Sequence, residues 1–111
     1  MKRDPRVYIE HIDDCIRHIG EWASEGRNVF MTDVRTRKAV IRMLQELSES
    51  VRRLEPIFHE KYTDFPWRDV IGFRNVLVHD YLGLNLDRIW EIATEHLPAL
   101  KPQVARMLAE L

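Results

Sequence analysis

Apolar positions recur at three- and four-residue steps along most of this chain, a spacing that predicts amphipathic helices rather than strands. Asp4-Pro5 has the form of a helix start, an N-cap side chain followed by a proline whose missing N–H costs nothing at the first helical position. Val7, Ile12, Cys15/Ile16, Ile19 and Trp22/Ala23 then follow close to a 3.6-residue period, and Gly26 reads as the stop. Residues 27–32 read as a loop, with Thr32 or Asp33 capping a second helix. That helix has the clearest stripe of all, Val40, Leu44, Leu47, Val51 and Leu54, widened by Ile41 and Met43 and ended by Pro56. Residues 57–65, with Phe58, Tyr62 and Phe65, read as an irregular aromatic connection. Asp64 or Phe65 is expected to cap a third helix with Pro66 in its first turn, running through Val78 until Tyr81-Leu82-Gly83 breaks it. Asn85 caps a fourth helix through about His96, and Pro98 opens a short last one. The expected fold is all-α: one domain over residues 1–111, an up-and-down bundle of four main helices plus a short C-terminal helix.

Composition changes this picture in two places. The single cysteine, Cys15, excludes an intramolecular disulfide framework and fits a reducing compartment. With no signal-like start and no apolar run of membrane-spanning length, the expected location is the cytoplasm. The net charge is −1, so the whole chain does not attract nucleic acid. Any RNA contact must come from a local basic patch or from one assembled across a dimer.

The stretch that carries chemistry is Pro66 to Tyr81, where Arg74, Asn75, His79 and Tyr81 interrupt a strongly apolar helix. Asn75 and His79 are four residues apart and share a face, so the amide can orient the imidazole. Arg74 and His79 are five apart and diverge by about 140° on an ideal helix. Their convergence on one substrate requires the reach of the arginine, a distorted last turn, or a second subunit. The pair suits metal-free RNA cleavage. A histidine titrating near neutrality can take the 2′-hydroxyl proton or protonate the leaving oxygen. An arginine presents a fixed fork of donors to the phosphate, where charge accumulates. The same residues also fit a plain helix-end histidine and a structural ion pair.

Arg74-x4-His79-x-Tyr81 resembles the R-x4-H-x-Y motif of the HepT toxins in the HEPN superfamily. Pro66-Trp67-Arg68 followed by Gly72-Phe73-Arg74-Asn75 is similar to the family's P-W-R-x-x-x-G-x-R-N segment. Arg37-Lys38-Ala39-Val40-Ile41-Arg42 resembles the start of its second helix, and Tyr8-Ile9 to Ile19 resembles its first. Late in the second helix, where many relatives have a small Gly-Glu-Ala-like stretch, this chain has Leu47-Ser48-Glu49-Ser50. The resemblance implies a HEPN-like homodimer whose two motifs face one another across a cleft, forming a metal-independent ribonuclease site that needs no cofactor. It assigns Arg74 and His79 as catalytic and Asn75 as a supporting polar residue. It also implies a partner, an MntA-like nucleotidyltransferase antitoxin that transfers AMP to Tyr81. A bulky anion two residues from His79 would obstruct the cleft and repel RNA phosphate.

Arg52, Arg53, Lys61 and Arg68 are candidates to line the RNA path beside Arg74, although a basic cluster on a helix is usually a solvated face. Trp67 is either a base-stacking platform or a core anchor. His11, Asp14/Cys15 and His18 have the spacing of metal ligands on one helix face, a pattern that an ordinary polar edge also produces. Cys15 reads as a small core residue rather than a nucleophile. The alternative reading of the whole chain, encouraged by its net charge, is a non-catalytic helical adaptor that presents Tyr81 or a nucleotide-sized pocket to a nucleotidyltransferase.

Overall fold

A computed structural model describes residues 4–79 and 83–111, apart from the side chains of Val78 and His79. Among the described residues there are helices and no strands. The elements are α1 (Pro5–Ala23), α2 (Arg27–Thr32), α3 (Val34–Arg53), α4 (Pro56–Lys61), α5 (Trp67–His79), α6 (Leu86–Glu91), a π-helical turn (Ile92–His96) and α7 (Leu97–Ala109). This is the all-α bundle that the periodicity predicts.

The caps operate as their chemistry requires. The Asp4 carboxylate accepts from the Arg6 backbone N–H at 2.9 Å with Pro5 in the first turn of α1. Asp33 caps α3 by accepting from the Arg35 N–H at 3.1 Å, and the Asn85 side chain accepts from the Arg88 N–H at the start of α6. Each satisfies an N–H that the first helical turn leaves without a partner.

Residues 27–32 are helical rather than a loop. Gly26, at φ 105°, turns the chain after α1 and sits at the N-cap of α2, a conformation that residues with a Cβ rarely adopt. One fully buried aromatic, Phe30, holds this six-residue helix down. So short an element owes its existence to tertiary packing and cannot show a periodicity of its own. The expected irregular connection at 57–65 likewise begins as α4. Pro56, read as a terminator, fills the first position of that helix, so one proline both ends α3 and starts α4. Neither Asp64 nor Phe65 caps α5. The helix begins at Trp67, and the Asp64 carboxylate accepts from Arg106 at 3.3 Å.

From Leu86 to Ala109 the helical path is continuous. Pro98 has no N–H for the Thr94 carbonyl and its ring crowds that carbonyl, so a regular turn is costly there. The backbone widens instead into the π turn, with the Leu97 N–H reaching back to Ile92. The last helix is thirteen residues long, the same as α5.

The core is a seam of fully buried side chains. Ile9, Ile12, Cys15 and Ile19 of α1 meet Val40, Leu44, Leu47 and Val51 of α3, with Val104 and Met107 of α7 behind. The N-terminal half of α1 lies beside the C-terminal half of α3, as the His11–Ser50 and His11–Glu46 pairs show. Helix α5 runs antiparallel to α3, because Arg74 meets Glu49 while Leu77 meets Gln45. Leu77, fully buried, anchors the end of α5 in this core. Trp67 anchors its beginning: it is buried, its indole N–H donates to the Tyr62 carbonyl at 2.8 Å, and its ring packs against Phe65 and His59. It is a core anchor and not an exposed stacking platform.

Candidate functional site

Helix α3 is the floor of the site. Arg42, Glu46, Glu49 and Arg53 recur at three- and four-residue steps, so they share one face while Leu44, Leu47 and Val51 fill the core from the other. Above this polar face, α1 contributes Tyr8 and His11 and α5 contributes Arg74. Together they line an open groove of about 560 Å³.

Arg74 is held there by an ion pair with Glu49, Nε to Oε2 at 2.6 Å, with both side chains roughly three-quarters buried. The same carboxylate accepts from Arg52 at 2.8 and 3.2 Å and from Arg53 at 2.9 Å. Three guanidinium groups therefore converge on one carboxylate. The hydrogen bonds from Arg52 foremost, then those from Arg53, with the charges of Arg52 and Arg74 beside them, bring the Glu49 carboxyl down to about 2. It is thus ionised at any physiological pH. Because Arg74 is gripped through Nε, its terminal nitrogens are not consumed by Glu49. Nη1 lies 3.5 Å from the Asn75 amide oxygen, at the outer limit of a hydrogen bond, and Asn75 is exposed. The arrangement fixes the stem of the arginine and leaves its fork available for a phosphate.

The turn that carries His79 is tied to α3 as well. Gln45 Nε2 donates to the Leu77 carbonyl at 3.0 Å, two residues before His79 in the last turn of α5. This bond satisfies a carbonyl of the final turn with a side chain from another helix. His79 is the last residue of α5, and its side chain lies outside the described part of the structure, as does Tyr81 altogether.

Of the expected basic residues, the structure brings Arg52, Arg53 and Arg74 together. Arg68 is exposed in the first turn of α5, six residues or about 9 Å along the axis from Arg74, and does not line the groove. Lys61 is placed elsewhere: it lies over the Tyr62 ring at 5.4 Å, and Arg106 of α7 packs on the same ring.

The metal-ligand spacing on α1 gathers no ligand set. His11 Nδ1 is 2.6 Å from the Ser50 hydroxyl, and Nε2 is 3.3 Å from Glu46. His18 stacks on Trp22 and faces Glu21. Cys15 is buried, and its thiol is pushed up to about 12 by burial first and then by the charges of Glu46 and Asp14, so it is not a nucleophile. Among the described residues Glu91, Glu95 and His96 have possible ligand atoms within 4.8 Å of one another, but Glu91 is already paired with Arg88 and His96.

Two residues of the site escape a reading of the sequence. Glu49 falls in a stretch notable only for its departure from a small-residue pattern, and Gln45 has nothing to mark it. The Glu49 pairs with Arg52 and Arg53 are visible as three- and four-residue spacings. Those to Arg74 and Leu77 cross between helices and leave no local trace.

Comparisons with known proteins show the family of the chain. The family model described as ribonuclease HepT-like matches residues 12–107. A protein of Caldanaerobacter subterraneus subsp. tengcongensis named as a candidate RNase is 34% identical over 107 residues, covering 96% of each chain. One of Thermococcus cleftensis named as a candidate ribonuclease HepT is 31% identical over 108 residues, 96% of this chain and 98% of its own. A protein of Methanocaldococcus jannaschii whose name joins gamma-glutamylcyclotransferase to a candidate RNase is 30% identical over 112 residues, and this chain spans 50% of its length. No solved structure gives a significant match. With the family model covering most of its length and relatives of matching extent, this chain belongs to the ribonuclease HepT-like family.

Proposed function

We propose that this protein is a metal-independent endoribonuclease toxin that acts in the cytoplasm as a homodimer and cleaves RNA through Arg74 and His79. The observation that carries the reading is the grip of Glu49 on Arg74, which fixes the guanidinium in an open groove with its fork unspent. The reaction needs few parts. The 2′-oxygen attacks the neighbouring phosphorus as its proton leaves to a base, the P–O5′ bond breaks, and the departing oxygen takes a proton. The products are a 2′,3′-cyclic phosphate and a 5′-hydroxyl. One imidazole can serve either transfer, and Arg74 stabilises the charge that builds on the phosphoryl oxygens. Asn75 assists beside them. Regulation falls to Tyr81, the acceptor for AMP transferred by an MntA-like nucleotidyltransferase antitoxin.

The net charge of the chain averages over an uneven distribution. Helix α3 carries Arg35, Arg37, Lys38, Arg42, Arg52 and Arg53 against only Glu46 and Glu49. The groove itself is nearer balance, with Arg42, Arg53 and Arg74 against Glu46 and Glu49, and most of the excess lies outside its lining on Arg35, Arg37, Lys38 and Arg52.

The test is cleavage of mixed tRNA and mRNA by the purified protein in EDTA beside His79→Ala, with the intact mass of both recorded. Cleavage by the wild type and its loss in the variant is the expected result. An unmodified wild type that leaves RNA intact refutes the reading. A wild type heavier by one or more AMP groups is first assayed again after phosphodiesterase treatment, which is expected to restore cleavage.

A further inference from the structure

A second groove lies on the other side of the Arg42–Gln45 step of α3. Arg37, Lys38, Ile41 and Arg42 line it from α3, and Leu84 and Leu86 from the start of the α6 region, enclosing about 590 Å³. Its chemistry is mixed: three cations, Arg37, Lys38 and Arg42, together with apolar surface from Ile41, Leu84 and Leu86. Arg42 and Gln45 line both grooves. Gln45 is also the residue that bonds the Leu77 carbonyl, so the turn bearing His79 stands over the boundary between the two.

We infer that this second groove is a binding subsite for single-stranded RNA, with Lys38 and Arg42 contacting phosphates and Ile41, Leu84 and Leu86 receiving a base. The inference rests on the ribonuclease reading above for the identity of the ligand, and it adds a site that the catalytic motif does not contain. The strand runs along α3 from Lys38 to Arg53, a span of about 22 Å, and passes the His79 turn midway. Its phosphates meet Lys38 and Arg42 on one side of that turn and Arg53 and Arg74 on the other. Lys38 is exposed, and Arg42 is tied at the surface, to Glu46 at 3.2 Å and to the Gln45 amide oxygen at 3.5 Å, so both can turn to an incoming anion. Arg37 is less free, since its guanidinium donates to the Met31 carbonyl at 3.0 Å, and it contributes field rather than contact. A groove of this size with both cationic and apolar lining accepts an unstacked nucleotide, whereas a duplex keeps its bases stacked inside.

The experiment measures binding of a short, unstructured, fluorescein-labelled RNA to the His79→Ala protein over a range of salt concentrations. It is repeated with Lys38→Ala/Arg42→Ala added and, as a control, with Lys101→Ala on α7, which lines neither groove. Each phosphate contact on a single strand contributes about 0.7 to the slope of log K against log salt. The double variant should therefore lose about 1.4 from the slope and bind about 25-fold more weakly at 0.1 M salt, while Lys101→Ala changes neither. An unchanged slope and affinity in a double variant that melts like its parent overturns the subsite, as does tighter binding of a duplex of the same sequence. If the parent binds RNA with this salt dependence but unmodified wild type cleaves nothing, the subsite stands and the nuclease reading fails.

Discussion

Replacing Glu49 by Gln keeps the size of the side chain, removes its charge and exchanges one acceptor oxygen for an NH2 donor. Three arginines then surround a neutral amide, and the contacts at 2.6, 2.8 and 2.9 Å lose their ionic part. Partly exposed pairs of this kind contribute about 0.2–1 kcal/mol each, so the three together contribute about 1–2 kcal/mol. The depression of the Glu49 carboxyl from 4.5 to about 2 would correspond to roughly 3 kcal/mol if none of it were screened. The lower figure is the better expectation, because Arg52 and Arg53 are about half exposed and the solvent takes its share. For a chain of this length it lowers the melting temperature by roughly 5 °C per kcal/mol.

The dependence on pH separates this account from a simple packing loss. A carboxyl whose folded value lies below its unfolded one stabilises the fold fully above the unfolded value, and that stability is lost as pH falls through the folded value. The window here runs from about 4.5 down to about 2. The difference in stability between wild type and Glu49→Gln should be constant from pH 7 to about 5.5. At pH 3 it should have dropped to about two-fifths of its neutral value or less, since a smaller stabilisation corresponds to a smaller shift and a folded value nearer 4.5. Urea denaturation of both proteins at pH 7, 5.5 and 3 in low salt reads this directly. A difference as large at pH 3 as at pH 7 would show that the carboxylate charge is not what holds Arg52, Arg53 and Arg74 together.

Gln45→Ala should cost about 1 kcal/mol by leaving the Leu77 carbonyl without its partner, and it should lower kcat for RNA cleavage with little change in KM. Chemical denaturation and steady-state kinetics check the two parts, and an unchanged kcat would dismiss Gln45 as a positioning residue. Cys15, with its thiol pushed up to about 12 and its side chain buried, should resist iodoacetamide in the native protein at pH 8 and label rapidly in denaturant. Rapid native labelling, followed by mass spectrometry, would contradict the environment described for it.

The contrast between what α3 and α5 reveal in sequence and what they conceal has a physical cause. The stripe Val40, Leu44, Leu47, Val51 is legible because burial repeats with the helical period, and the caps Asp4, Asp33 and Asn85 are legible because they act within three residues. Helix α2 and the continuity of α6 with α7 are not, since one depends on a single buried Phe30 and the other on how the chain absorbs Pro98. The site divides in the same way. The candidates Arg74, Asn75 and His79 are named through the family resemblance of their motif, since spacing alone also fits a structural role, and Arg52 and Arg53 are nominated from their charge. What makes Arg74 serviceable is Glu49, 25 positions earlier, and what ties down the His79 turn is Gln45. A motif names groups that can react, but an arginine fork left to itself samples many rotamers and loses much of its value to a transition state. The helix opposite supplies that restraint through Glu49, and it also carries Lys38 and Arg42 of the proposed subsite. In the proposed site the spacing of Arg74 and His79 and the charge of Glu49 therefore act together, divided between two helices that meet only in the fold.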